Sequence, residues 1–108
     1  SFKAGRRVAN EAGAASICDA MLVPMPGELT FAVNKQYVSG GVSVSDDEIC
    51  RAMRFAASYL NLVIEPSGAV ALAAVLAGKI PTEGRRIGLI ATGGNVDMET
   101  FCQIISDG

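Results

Sequence analysis

Thr92-Gly93-Gly94-Asn95 stands directly behind the apolar run 87–91 and just ahead of Asp97, in a place and with residue types that a small ligand can use. Two glycines let the backbone come close to a ligand because no Cβ blocks it. The Thr92 hydroxyl both donates and accepts a hydrogen bond. A helix that follows points its N–H groups and partial positive charge at the same spot. The same residue types also make a tight strand-to-helix turn, and residue type alone leaves both readings open. Elsewhere the chemistry is limited by what is missing. The chain has no histidine, which removes Ser-His and Cys-His nucleophile pairs and any His-bearing zinc site. Chemistry here must rest on lysine, carboxylates, hydroxyls, backbone dipoles or a borrowed cofactor. Asp46-Asp47-Glu48 follow Ser45 as the first-turn acids of a helix, facing its positive end, and are not read as a metal site. Cys18, Cys50 and Cys102 are odd in number and lack C-x-x-C spacing, so they are expected as reduced, mostly buried small side chains.

The elements that must carry these residues follow from periodicity. Pro24-Met25-Pro26-Gly27 is a turn cluster, and residues 28–38 are expected as a helix with Leu29, Val33 and Tyr37 on one face. Val42-Ser43-Val44 alternates as a short strand. Ser45 and Glu48 then form a Ser-x-x-Glu capping box, with Ile49, Ala52, Met53, Ala56 and Leu60 following at helical spacing. Leu62-Val63-Ile64 is a second short apolar segment. Glu65-Pro66-Ser67-Gly68 leads into 69–77, a helix apolar on nearly every face and ended by Gly78. Residues 87–91 read as a strand buried on both faces. Asp97 caps a last helix with Met98, Phe101, Cys102 and Ile105 expected inside. Helical connections between short buried strands make the class α/β, with too few strands for a complete doubly wound sheet.

The chain has 108 residues, half of them hydrophobic and only 19% charged, which is apolar for so small a unit. A core closed by further chain or by another subunit would account for this, and the Ser at position 1 agrees with a fragment but equally with simple processing. The net charge of −2 and the scattered basic residues exclude the basic stripe that nucleic acid requires. The longest apolar run, 69–77, is nine residues, too short for a membrane span. A signal peptide is absent too, so a cytoplasmic protein is expected.

Four motifs occur in order: Pro26-Gly27-Glu28-Leu29-Thr30-Phe31, Val42-Ser43-Val44-Ser45-Asp46-Asp47-Glu48-Ile49, Glu65-Pro66-Ser67-Gly68-Ala69 and Thr92-Gly93-Gly94-Asn95-Val96-Asp97. Together they resemble the C-terminal part of the catalytic domain of threonine/serine dehydratases. These are fold-type-II pyridoxal-phosphate enzymes, a group that includes serine racemase, and the resemblance runs from about residue 14 to 101. It implies part of a three-layer open-sheet domain of the tryptophan-synthase-β-like kind. Where this chain has Thr92-Gly93-Gly94-Asn95, the family usually has Ser-Gly-Gly-Asn, whose hydroxyl bonds the pyridine nitrogen of pyridoxal phosphate. The resemblance also places Glu65 near the cofactor ring, though a helix N-terminal acid ahead of Pro66 is the other reading. Cys18-Asp19-Ala20 stands where relatives often read Ala-Asp-Gly beside the cofactor, and Ala20 departs from that glycine.

The family's cofactor-bonded lysine lies in Ser-Phe-Lys-x-Arg-Gly, and Ser1-Phe2-Lys3-Ala4-Gly5-Arg6 has this one residue out of order. Lys3 precedes Thr92 by only 89 positions and no glycine tetrad lies between them. Lys3 is therefore not expected to be that lysine. Glu65-Pro66 likewise lacks the Glu-Pro-x-x-Ala-x-Asp spacing of the family's divalent-metal site. The expectation is a single partial domain over 1–108, the C-terminal portion of the large domain, with the small domain and the N-terminal part absent. The implied parent reaction converts threonine or serine to a 2-oxo acid and ammonia. This chain would supply cofactor contacts from Ala20, Glu65, Thr92, Gly93, Gly94 and Asn95, no catalytic residue and no metal ligand. It would be inactive alone. Its partners would be an amino-acid substrate, the remainder of the enzyme and a second copy in a homo-oligomer. A related hydroxy-amino-acid dehydratase, a racemase, or a non-catalytic small-anion-binding module are the alternatives.

Overall fold

The computed structural model describes residues 3–10, 16–18 and 21–107. They form two compact units, Ser1–Val42 and Ser43–Gly108.

In the first unit, helix α1 spans Glu28–Tyr37, one residue short of the expected end. Thr30 Oγ1 donates to the Gly27 carbonyl at 3.2 Å, and Phe31 N–H donates to the same oxygen at 2.9 Å. The apolar stripe is there, but nothing covers it: α1 has no buried residue, and Leu29 and Tyr37 are 79% and 75% exposed. The segment around Asn10 is held to the turn cluster. Asn10 N–H donates to Pro24 O (2.6 Å), and its amide Nδ2 to Val23 O (2.7 Å). Lys35 Nζ donates to the Gly5 carbonyl at 2.7 Å, and Lys3 is exposed.

The second unit is built around α2, Asp46–Phe55. Its start is the expected capping box. Ser45 Oγ accepts from Glu48 N–H at 3.2 Å, and Ser45 N–H donates to Glu48 Oε2 at 2.9 Å. Two otherwise orphaned donors are satisfied, which is why the helix begins there. Its inner face buries Ile49, Ala52 and Met53, with Met53 fully enclosed. The periodicity carries on through Ala56 but fails at Leu60, which is 47% exposed. Residues Ala56–Leu60 form a π turn closed by left-handed Asn61, and the wider turn rotates Leu60 off the buried face.

Across α2 lie α3 (Val70–Leu76) and α4 (Met98–Ser106). A 3₁₀ turn, Ser67–Ala69, leads into α3. The helix ends in a Schellman motif: Lys79 N–H donates to Ala74 O at 3.0 Å and Gly78 N–H to Val75 O at 3.1 Å. Leu72, Ala73 and Ala74 are buried, but Leu76 and Ala77 are exposed, so one face of this apolar helix is not sandwiched. On α4 only Phe101 is buried and Ile105 half-buried; Met98 and Cys102 face out, against expectation. Arg54 Nε donates to the Ile104 carbonyl at 2.9 Å, tying the end of α2 to α4.

The α/β expectation is corrected by the regular elements observed: among the described residues all are helical, and none is a strand. Residues 42–44, 62–64 and 87–91 have no ladder partner. A strand exists only where a neighbouring strand supplies ladder hydrogen bonds, and these runs have no such neighbour among the described residues. In place of burial on both faces, Ile87, Leu89 and Ile90 are exposed, Ile90 at 79%. The cysteines also differ from expectation. All three are free, but only Cys18 is buried, Cys50 is half-buried and Cys102 exposed. Partial burial on α2 pushes the Cys50 thiol up from its ordinary value. No helix among the described residues is long and apolar enough to cross a membrane.

Candidate functional site

Within the second unit, two of the motifs singled out in the sequence meet. Glu65 N–H donates to the Gly93 carbonyl at 2.6 Å. The residues after Glu65 fold back at once: Pro66 holds right-handed helical dihedrals, and Gly68 and Ala69 N–H groups donate to Glu65 O at 3.0 and 3.1 Å. This tight turn brings the Gly68 Cα against the backbone of Thr92. A Cβ on Gly68 would land on the Thr92 carbonyl oxygen and stand 2.7 Å from its carbon. No side chain could be accommodated there without moving the loop.

The reciprocal contact lies one residue on. Gly93 has φ +79°, a left-handed backbone that glycine adopts without a Cβ penalty. The Glu65 carboxylate group lies where a Gly93 Cβ would project, with its carboxyl carbon 2.5 Å from that position. Glu65 and Gly93, and Gly68 and Thr92, therefore interlock as two crossed pairs.

What the interlock leaves exposed is the Thr92 side chain. It is solvent-accessible, and among the described residues its hydroxyl has no hydrogen-bond partner. Asn95 is exposed as well. Gly94 is open, since a Cβ there would meet only the Val63 carbonyl at an ordinary 3.8 Å. Val96 N–H donates to Gly94 O at 2.9 Å, closing the loop before Asp97.

The start of α4 is less free than the sequence suggested. Asp97 Oδ2 accepts from Thr100 N–H at 3.0 Å and from Thr100 Oγ1 at 3.1 Å. One of the helix's first backbone donors is engaged by a carboxylate already in place, which offsets the positive end of the helix. An anion arriving there would meet negative charge.

Of the six expected contact residues, Glu65, Thr92, Gly93, Gly94 and Asn95 are brought into one neighbourhood. Ala20 lies outside the described residues. Sequence reasoning missed Gly68 as a partner of the loop. A glycine at the head of the apolar run 69–77 was the available signal, since the lack of a Cβ allows a close backbone approach. Ser67 was missed as well: its Oγ is buried without a hydrogen-bond partner among the described residues.

Residues 1–93 match the family described as "Pyridoxal-phosphate dependent enzyme". The chain belongs to that family of pyridoxal-phosphate-dependent enzymes. It is 42% identical over 99 residues to a β-hydroxyaspartate dehydratase of Paracoccus denitrificans, covering 92% of this chain and 31% of that one. It is 36% identical over its whole length to an L-threonine ammonia-lyase of Thermotoga maritima, 26% of which is covered. The structure of maize serine racemase superimposes on 99% of this chain with a TM-score of 0.81 at 34% identity, and 35% of that chain is covered. The chain thus spans about a third or less of the length of the curated relatives it matches, and it takes the fold of a region of these tryptophan-synthase-β-like enzymes.

The residues present fit one end of pyridoxal phosphate. A hydroxyl with no internal partner suits a ring nitrogen. Gly94, open where a side chain would stand, leaves room for a flat ring, and the Glu65 carboxylate fills the space over neighbouring Gly93. Thr92 to Asn95 and Glu65 are the residues that would hold that end.

Proposed function

We propose that this chain is a part of the large catalytic domain of a pyridoxal-phosphate-dependent hydroxy-amino-acid dehydratase, with threonine or serine as substrate. The observation that carries the proposal is the interlock of Glu65-Pro66-Ser67-Gly68 with Thr92-Gly93, which fixes the loop and leaves the Thr92 hydroxyl unengaged. The cofactor, when bound, withdraws electrons from the substrate α-carbon so that its proton and the β-hydroxyl can leave. Thr92 donates a neutral hydrogen bond to the ring nitrogen. Being uncharged, it does not force that nitrogen to carry a proton, which keeps the ring a moderate electron sink and suits β-elimination. Gly94 would admit the ring edge, and Glu65, packed over Gly93, would wall it. The lysine that bonds the cofactor and the glycine-rich phosphate cradle come from the remainder of the parent enzyme, and Lys3 is a surface lysine. The exposed Leu29, Val33, Tyr37 and Ile90 side chains face that remainder or a second copy in a homo-oligomer.

A second substrate assignment, 3-hydroxyaspartate, is favoured by the 42% identity to the Paracoccus denitrificans dehydratase. A serine racemase is the third member of the set, supported by the maize likeness. A bare anion-binding module has less support, because Asp97 already occupies the start of α4.

The test is a substrate panel on the full-length protein loaded with pyridoxal phosphate. Threonine, serine and 3-hydroxyaspartate are supplied in turn, and 2-oxo acid, ammonia and D-serine are measured. The proposal expects 2-oxobutanoate or pyruvate with stoichiometric ammonia. Preferential turnover of hydroxyaspartate moves the assignment to the second substrate. No product from any of the three, with cofactor bound, contradicts it.

A further inference from the structure

We infer that Gly68 is a positioning residue for the Thr92 hydroxyl. The inference rests on the proposal that Thr92 bonds the ring nitrogen, and it concerns a residue that makes no ligand contact itself. Thr92 enters the loop with its carbonyl seated against the bare Cα of Gly68, and any Cβ there would occupy the place of that oxygen. The atom met is backbone, with its carbon and nitrogen at 2.7 and 3.2 Å, so a rotamer change cannot relieve the clash. The Thr92 peptide must shift away from the 3₁₀ turn. On the far side it cannot simply rotate, because the next residue is held by Glu65 N–H on Gly93 O at 2.6 Å and by the Glu65 side chain over Gly93. Gly68 itself is buried and anchored through its N–H on Glu65 O at 3.0 Å, so the loop gives before the turn does. A hydroxyl displaced by about 1 Å no longer makes a well-formed hydrogen bond. Glycine at 68 thus sets where the Thr92 hydroxyl stands.

The experiment compares two ligands on the full-length apoprotein. One is pyridoxal phosphate, and the other is its deaza analogue, in which a C–H replaces the pyridine nitrogen. Affinities are read by fluorescence titration, and the quantity of interest is their ratio, which general weakening of the fold does not change. The wild type is expected to prefer pyridoxal phosphate roughly three- to ten-fold, the worth of one neutral hydrogen bond. Thr92→Ala should abolish that preference, and so should Gly68→Ala. Gly78→Ala, which strains a left-handed glycine with nothing within 4 Å of its Cβ position, should retain it.

A wild type without preference, or a Thr92→Ala variant that keeps it, overturns the Thr92 assignment and the inference with it. A preference lost in Thr92→Ala but kept in Gly68→Ala overturns the inference alone. Loss in Gly78→Ala also overturns it, since any strain would then suffice. If Gly68→Ala does not fold, Gly93→Ala displaces the same loop from its other side, because a Cβ there strains the φ +79° backbone and meets the Glu65 side chain from its carboxyl group back to Cγ at 2.6 Å. A kept preference in that variant overturns the inference equally.

Discussion

Thr92→Ala separates binding from folding more cleanly than any other substitution in the chain. The Thr92 side chain is exposed and its hydroxyl has no partner among the described residues. Its removal leaves no buried group unsatisfied, so the unfolding free energy should change by less than about 0.5 kcal/mol. The loop's position does not depend on this side chain either, because the interlock runs through the Thr92 carbonyl and the Gly93 backbone. What is lost is one neutral hydrogen bond to the ring nitrogen, with a net worth of about 0.5–1.5 kcal/mol, or a factor of about 2 to 13 in Kd. Thr92→Ser keeps the hydroxyl and should restore most of that factor. The assay is a fluorescence titration of full-length apoprotein with pyridoxal phosphate, run beside urea unfolding of the same preparations. Unchanged affinity in Thr92→Ala refutes the reasoning. So does an affinity loss matched by a stability loss above about 1 kcal/mol, which would make the hydroxyl a structural group.

The remaining expectations concern the scaffold beneath the loop. Met53→Ala empties the largest fully enclosed side chain among the described residues and should cost about 2–5 kcal/mol in urea unfolding; a cost below about 1 kcal/mol would place the packing centre elsewhere. Ser45→Ala removes one half of the capping box and should cost about 1 kcal/mol. The Glu48 carboxyl is held below its ordinary value of 4.5, first by the Ser45 backbone N–H and also by nearby Lys79, which forms an ion pair with it at 3.5 Å. A depressed carboxylate stabilises the fold above its unfolded value, and that contribution is lost as pH falls through the folded one. Glu48→Gln should therefore reduce thermal midpoints at neutral pH more than in acid well below pH 4.5. An equal reduction at both would mean the charge contributes nothing.

Local signals in the sequence were legible where a few neighbouring residues settle the outcome. The Ser45/Glu48 box, the Gly78 stop and the Asp97 cap all act within one turn of backbone, and each is found as expected. The apolar segment 87–91 was expected as a strand buried on both faces and is neither a strand nor buried, because both outcomes depend on partners that the segment cannot specify. Leu60 was misplaced for a subtler reason. A helical stripe extrapolates only while the turn stays α, and the π turn from Ala56 breaks it. The candidate loop was readable from Thr92, Gly93, Gly94 and Asn95. Its support was not, since Gly68 is a glycine whose purpose shows only when the Thr92 carbonyl is seen against it. The buried Ser67 hydroxyl carried no sequence signal.

The most direct test of the central claim is to find the lysine. Full-length protein saturated with pyridoxal phosphate is reduced with borohydride, digested, and the labelled peptide identified by mass spectrometry. The account predicts one stoichiometric label, on a lysine outside these 108 residues. A stoichiometric label on Lys3 would contradict it, making this chain the holder of the catalytic lysine and not the wall around the cofactor's ring.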